Sequence, residues 1–95
     1  MNTTETKNYI KQLNAEAEKL TSLADQIQSQ SNEMQSQSEK FKSLAKQFCA
    51  DGNARQAQEC TQKAEECNKR IGECNERIGE TRKKAQEAIS LAKKL

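Results

Sequence analysis

The sequence predicts an all-α fold, an antiparallel two-helix hairpin of the coiled-coil type, on three observations. The chain of 95 residues has no Pro, three Gly and 3% aromatic residues, a composition that favours long helices over strands. On both sides of Asp51-Gly52-Asn53, small or apolar residues recur at alternating spacings of three and four, as at heptad positions a and d. The two series are out of phase by five residues, whereas the usual insertions in a continuous coiled coil are three or four. The chain is therefore expected to fold back at this break as a single domain spanning 1–95.

The first helix is predicted over about residues 4–49. Asn2, Thr3 or Thr4 supplies the N-cap, and Glu5 follows Asn2 at the spacing of a capping box. The heptads of this helix carry large residues at position d and mostly small ones at position a. The predicted core positions are Ile10, Leu13, Ala17, Leu20, Ala24, Ile27, Ser31, Met34, Ser38, Phe41, Ala45 and Phe48.

The turn is predicted over residues 50–53, around Asp51, Gly52 and Asn53. Gly52 is suited to the left-handed conformation that ends a helix, because it has no Cβ. Asn53 is a favourable N-cap for the next helix, with Gln56 three residues further on. The break in the heptad pattern thus coincides with residues that stop one helix and start another.

The second helix is predicted over about residues 53–95, with mostly small residues in its core. Its predicted core positions are Ala57, Cys60, Ala64, Cys67, Ile71, Cys74, Ile78, Thr81, Ala85, Ala88, Ala92 and Leu95. Large residues of the first helix then meet small ones of the second, which fills a seam without voids. Near-duplicate heptads in each helix place Ser31 and Ser38 opposite residues 67–78, so the middle of the seam is expected to be polar.

The two flanks of the second helix differ in charge. One flank carries a ladder in which each Glu precedes a basic residue by four, such as Glu66 and Arg70, a spacing that supports ion pairs on a helix. The other has little charge and holds Thr61, Asn68, Gly72, Asn75 and Gly79. Its two glycines predict a close approach by another element, and a second hairpin is the expected one.

Self-association into a four-helix bundle or a larger helical assembly is also predicted. An isolated two-helix hairpin leaves much of each apolar stripe in water, and each helix has apolar residues beyond its core series. The expected partner is a second copy of the chain, related by a two-fold axis. The interface candidates are Leu23, Leu44, Gly72, Gly79, Ile89 and Leu91.

The four cysteines are interpreted mainly as small core residues. Cys60, Cys67 and Cys74 follow one another at seven-residue steps of about 10.5 Å, too far apart for disulfides, which need Cα atoms within about 7 Å. Reduced thiols are typical of the cytoplasm, the location we predict. Cys49, near the turn, is expected to react most readily. An alternative is a thiol-based bundle that binds Cu(I) or Zn(II) through Cys60, Cys67 and Cys74 of several chains.

The functional prediction is a structural or interaction protein, a scaffold or adaptor for a protein partner. No enzyme, cofactor or membrane role is expected: the chain lacks His for a Cys–His pair and has no run of 18 apolar residues. A net charge of +2 is too small to indicate nucleic acid by itself. A basic end of the second helix leaves open a small nucleic-acid-binding four-helix bundle as a second alternative. Its residues are Arg82, Lys83, Lys84, Lys93 and Lys94.

Overall fold

The computed structural model describes residues 3–95 and confirms the helical hairpin. Helix α1 covers Thr3–Ala50 and helix α2 covers Ala54–Lys94, and the two helices pack against each other. The bounds differ from the predicted ones by a single residue at each end. The capping prediction that involves Asn2 lies outside the described residues, while Glu5 stands in the first turn of α1.

The heptad pattern locates the core of the hairpin. All the predicted core positions of α1 are buried or half-buried, from Ile10 to Phe48. The same holds in α2 from Ala57 to Ala92, whereas Leu95, beyond the last helical residue, is 46% exposed. The core thus follows a and d positions on both helices, as expected for coiled-coil packing.

Helix α1 ends in a Schellman motif centred on Gly52. Gly52 has a φ of +79°, and its N–H donates to the Cys49 carbonyl at 3.1 Å. The N–H of Asn53 reaches further back and donates to the Phe48 carbonyl at 2.8 Å. These two bonds satisfy carbonyls that the end of an α-helix otherwise leaves unpaired.

The same Asn53 begins helix α2. Its carbonyl accepts the first helical bond from Ala57 N–H at 3.1 Å, and its side-chain oxygen accepts from Gln56 N–H at 3.4 Å. In a standard capping box the side chain of Gln56 would accept a hydrogen bond from the backbone N–H of Asn53. That N–H is already donated to α1. The Gln56 side-chain oxygen instead accepts from the Asn53 amide nitrogen at 2.6 Å.

By its internal contacts the chain divides into two compact units. The terminal unit consists of residues 3–27 and 76–95, and its buried side chains are all apolar. Alanines alternate there with larger aliphatic residues, a combination that lets helices approach closely without leaving cavities. Its buried residues are Leu13, Ala17, Ala24, Ile27, Ile78, Ala85 and Ala92.

The turn unit consists of Gln28–Asn75 and has a different core. Its buried side chains are small or polar: Ser31, Ser38, Ala57, Cys60 and Ala64. The larger apolar residues at the core positions of this unit are only half-buried, namely Met34, Phe41, Phe48 and Ile71. The polar middle of the seam expected from Ser31 and Ser38 therefore belongs to this unit.

Most residues outside the core are exposed, and ion pairs are sparse. Arg55 pairs with Glu59 at 3.8 Å, and Arg82 pairs with Asp25 at 3.8 Å, all four side chains being largely solvated. Over residues 3–95 the predicted ladder pairs, such as Glu66 with Arg70, do not close to within 4.0 Å. Neither described helix contains a stretch both long and apolar enough to cross a membrane.

Candidate interaction surfaces

Two buried serines of α1 are hydrogen-bonded to two asparagines of α2 in the turn unit. Ser38 is fully buried, and its hydroxyl donates to the Asn68 side-chain oxygen at 2.9 Å. One heptad earlier in α1, the Ser31 hydroxyl donates to the Asn75 side-chain oxygen at 3.4 Å. A buried hydroxyl without a partner is costly, and no buried side-chain nitrogen or oxygen of residues 3–95 lacks one. The two pairs thus allow serine in a helical core.

The pairs change the interpretation of one flank of α2. The sequence pattern placed Asn68 and Asn75 on a low-charge flank open to a second hairpin, whereas both are engaged with α1 of the same chain. A signal was present in the sequence: serines seven apart in α1 and asparagines seven apart in α2, each within duplicated heptads. Recognising it requires knowing that position e of α2 reaches a serine at position a of α1.

A shallow groove lies between the helices on the Asn68 side of the turn unit. It is lined by Lys42, Ala45, Cys49, Thr61, Ala64 and Asn68, among others. The Thr61 hydroxyl is occupied by its own helix, since it donates to the Ala57 carbonyl at 3.0 Å. Residues at heptad position e of both helices therefore meet along this groove.

The opposite side of the turn unit carries Lys63. Its ammonium nitrogen lies 5.7 Å from the centre of the Phe41 ring, within the range of a cation–π contact. Leu44, at heptad position g of α1, is 40% exposed. Position g residues of the two helices thus lie on this side, away from the Asn68 groove.

The terminal unit has the same division of heptad positions. One groove is lined by Asn14, Thr21 and Ile89, all at position e, together with Asp25, whose carboxylate meets Arg82. Leu23 and Leu91 occupy position g and are 42% and 41% exposed. In this unit the two leucines are therefore on the side away from Ile89.

The six interface candidates consequently do not form one patch. Leu23, Leu44 and Leu91 share position g, and Ile89 lines the position e groove of the terminal unit. Gly72 and Gly79 are at position b, and a Cβ built on either meets no atom within 4 Å. Among residues 3–95 nothing approaches the glycines closely, so a close approach there would have to come from another chain.

The cysteines are free thiols in different environments. Cys60 is buried, Cys67 and Cys74 are half-buried, and Cys49 is exposed. No group of three potential metal ligands occurs in residues 3–95. Cys60, Cys67 and Cys74 therefore occupy successive layers of the seam rather than one site.

The basic end of α2 presents its charges to solvent. Lys83, Lys84, Lys93 and Lys94 are exposed, and Arg82 is drawn to Asp25. Lys83 and Lys94 flank Leu91 along a shallow depression on the surface of α2. Lys93 and Lys94 lie in the last turn, where a cation interacts favourably with the helix dipole.

The surface of residues 3–95 consists of exposed helix faces and shallow grooves between the helices. The exposed leucines, the groove beside Asn68 and the cation over Phe41 are its distinctive features. Comparison with protein-family models, with curated proteins and with solved structures gives no match.

Proposed function

We propose that this chain is a non-catalytic structural protein, a self-associating helical hairpin that serves as a scaffold or adaptor for a protein partner. The observation that carries the proposal is the exposure of Leu23 and Leu91 on the same side of the terminal unit. The chain has a thin core and a large exposed helical surface, which suits a protein that works by presenting helices.

The distribution of exposed apolar residues supports association through the terminal unit. Of the exposed large apolar side chains in residues 3–95, only Leu44 belongs to the turn unit; the others are Tyr9, Leu23, Leu91 and Leu95. Single exposed leucines are ordinary, but several on one helical unit are typical of an interface. Fully burying a wholly exposed leucine contributes about 1.5–3 kcal/mol. Leu23 and Leu91 are 42% and 41% exposed, so covering what remains of each adds about 0.6–1.2 kcal/mol to dimer formation.

The charges around these leucines are compatible with a second copy of the chain. In the terminal unit, Glu16 and Lys84 share position g with the leucines and carry opposite charges. In a two-fold symmetric contact each side meets its own copy, so a face with both signs can pair with itself. A four-helix bundle is the simplest assembly that covers both leucines.

Sedimentation equilibrium over a wide concentration range tests the proposal. We expect the wild type to associate, and Leu23→Gln/Leu91→Gln to shift the equilibrium strongly toward monomer. The matched control is Leu44→Gln, the same substitution at the same heptad position and a similar exposure in the turn unit. Association equal to the wild type is expected for it.

Two outcomes would contradict this assignment. A wild-type chain that stays monomeric at every concentration would refute self-association. If Leu44→Gln weakened the assembly as much as the double variant did, the terminal unit would not be the interface. Circular dichroism of each variant checks that helix content is retained.

A further inference from the structure

The contacts between α1 and α2 in the turn unit can be made within one chain or between two chains that exchange helices. In a domain-swapped dimer the turn opens, and α1 of each copy packs on α2 of the other. Such an exchange is a low-cost route to dimers, because it reproduces the contacts of the seam. Only Asp51–Asn53 lie between α1 and α2, so opening requires few residues to change conformation.

The heptad break opposes this exchange. Ala45 near the end of α1 and Ala57 near the start of α2 both occupy position a and both lie in the seam. Twelve residues separate them, whereas a continuous heptad pattern requires seven or fourteen. If residues 51–53 became helical, the seam of α2 would point roughly 150° away from that of α1. In a two-fold dimer of such chains, α1 would meet the outer face of the partner's α2 rather than its seam.

The buried side chains of α2 make the resulting loss large. Ala57, Cys60 and Ala64 are buried in the seam of the turn unit, and all three would be turned outward. Asn68 would move with them, and the buried Ser38 hydroxyl would lose its hydrogen-bond partner.

The hydrogen bonds of the turn contribute much less to keeping the hairpin closed. The N–H groups of Gly52 and Asn53 donate to the carbonyls of Cys49 and Phe48, respectively. In a continuous helix the two N–H groups would bond to the same two carbonyls, exchanged, at the helical spacing of four. A helical connection also has no need of the positive φ at Gly52. The bonding of the turn therefore does little to oppose opening.

We propose that the five-residue break in the heptad pattern prevents domain swapping, so that this chain meets its partners as a closed hairpin. The break is a conformational device, because the closed hairpin is the arrangement in which the seams of both helices are covered. The inference goes beyond the proposed function, since it concerns which helices pair inside a chain whether or not chains associate. Where chains do associate, Leu23 and Leu91 of one contact surface belong to the same chain.

An equal mixture of ¹³C,¹⁵N-labelled and unlabelled chain, unfolded and refolded together, tests the pairing of the helices. The side chains to observe are those of Ser38 and Asn68, whose oxygens are 2.9 Å apart. Isotope-filtered NMR separates nuclear Overhauser effects (NOEs) within a chain from those between chains. We expect NOEs between Ser38 and Asn68 within the labelled chain and none to the unlabelled chain. Interchain NOEs between these two residues would overturn the proposal.

Deletion of residues 50–54 tests the phase itself. It brings Ala45 and Ala57 seven residues apart and makes the heptad pattern continuous. We expect this variant to form a two-chain antiparallel coiled coil, dimeric by sedimentation equilibrium wherever it is folded, with Ser38–Asn68 NOEs between chains. A variant that stayed monomeric, or that lost its helix content by circular dichroism, would contradict the role of the phase.

The matched control is deletion of residues 51–53, which also removes the turn. It leaves Ala45 and Ala57 nine residues apart, so the two seams still point roughly 150° away from each other. At equal protein concentration we expect its urea midpoint to lie at least about 1 M below that of the variant lacking residues 50–54. Equal midpoints would show that the phase does not decide the pairing.

Gly52→Ala separates the phase from the turn. It disfavours the positive φ of the closed turn but leaves the heptads unchanged, so the Ser38–Asn68 NOEs should remain within the chain. Interchain NOEs in this variant would show that the glycine, and not the phase, keeps the hairpin closed. Self-association is judged separately by sedimentation of the wild type. A monomeric wild type would refute self-association alone, and an assembly with interchain NOEs would refute the closed hairpin alone.

Discussion

The terminal unit and the turn unit share one heptad pattern but bury different chemistry. In the terminal unit Leu13, Ile27 and Ile78 are buried among alanines. In the turn unit the fully buried side chain is that of Ser38, and Met34 and Phe41 stay half in solvent. The same spacing of a and d positions can thus build a seam of aliphatic side chains or a seam that contains hydrogen bonds.

The difference teaches where stability and specificity originate in a small hairpin. Burial of aliphatic side chains contributes about 25 cal/mol per Å² of apolar area and does not depend on how the two groups are oriented. A net hydrogen bond contributes about 0.5–1.5 kcal/mol but requires its two atoms to meet. We therefore expect the terminal unit to supply most of the stability, while Ser31, Ser38 and the turn fix the register of the helices.

The largest expected effect breaks the aliphatic seam. Ile78→Ala should destabilise the chain by about 2–5 kcal/mol, because it removes buried methyl groups and leaves a cavity. Cys60→Ala, the comparable truncation in the turn unit, should cost about 1 kcal/mol, since less apolar volume is lost. Urea unfolding at a fixed protein concentration measures both.

Exposed Gln86 supplies the control for that comparison, since Gln86→Ala should change stability by no more than about 0.5 kcal/mol. Equal losses for Ile78→Ala and Cys60→Ala would contradict a difference between the two seams.

The next effect concerns the turn that closes the turn unit. Gly52→Ala should destabilise by about 1–2 kcal/mol, because an alanine at a φ of +79° crowds its Cβ against the backbone. Thermal unfolding followed by circular dichroism gives the loss. An unchanged or higher Tm would show that the left-handed residue is not required.

A smaller effect isolates the hydrogen-bonded seam. A double-mutant cycle of Ser38→Ala and Asn68→Ala should give a coupling of about 0.5–1.5 kcal/mol, as expected for one net hydrogen bond. The same cycle at Ser31 and Asn75 should give less, because that bond is longer, 3.4 Å against 2.9 Å. Zero coupling in both cycles would mean that these pairs do not fix the register.

The smallest effect has the opposite sign and compares the units directly. Gly72→Ala in the turn unit and Gly79→Ala in the terminal unit should each stabilise the chain by about 0.5–1 kcal/mol. Both positions are inside a helix, and an added Cβ meets no atom within 4 Å. Sedimentation of the same variants shows whether a second chain needs the glycines, since loss of association would place the interface there.

The periodic features were predictable from the sequence and the side-chain partnerships were not. Ile27 and Ala64 are buried because the heptad period alone decides which residues face the partner helix. Gly52 and Asn53 were equally readable, since a helix stop and a helix start each demand particular residue types. These predictions depend only on local chemistry and spacing.

For Asn68, by contrast, the sequence pattern predicts a place on the low-charge flank open to a second hairpin. Its contact with Ser38 depends on the distance and rotation between two helices, which the pattern does not give. The charge ladder failed for another reason. Glu66 and Arg70 have the right spacing, but solvated side chains gain little from pairing and lose rotamer freedom when they do. The exposed leucines are identifiable in the sequence as apolar residues outside the core series. Their separation from Ile89 required the position of the groove.

Asn53 has a consequence for how this chain can evolve. Its N–H bonds to the last turn of α1, while its carbonyl and side chain bond to the first turn of α2. The length of the connection is therefore fixed by the two helix ends. One residue inserted into α2 just after Asn53 would rotate everything that follows it by about 100° around the helix axis and carry Ile78 and Ala85 out of the seam. Surface connections usually accept insertions readily. Here the connection fixes the rotation of α2 relative to α1. We therefore expect related chains to change length in whole heptads on both helices together.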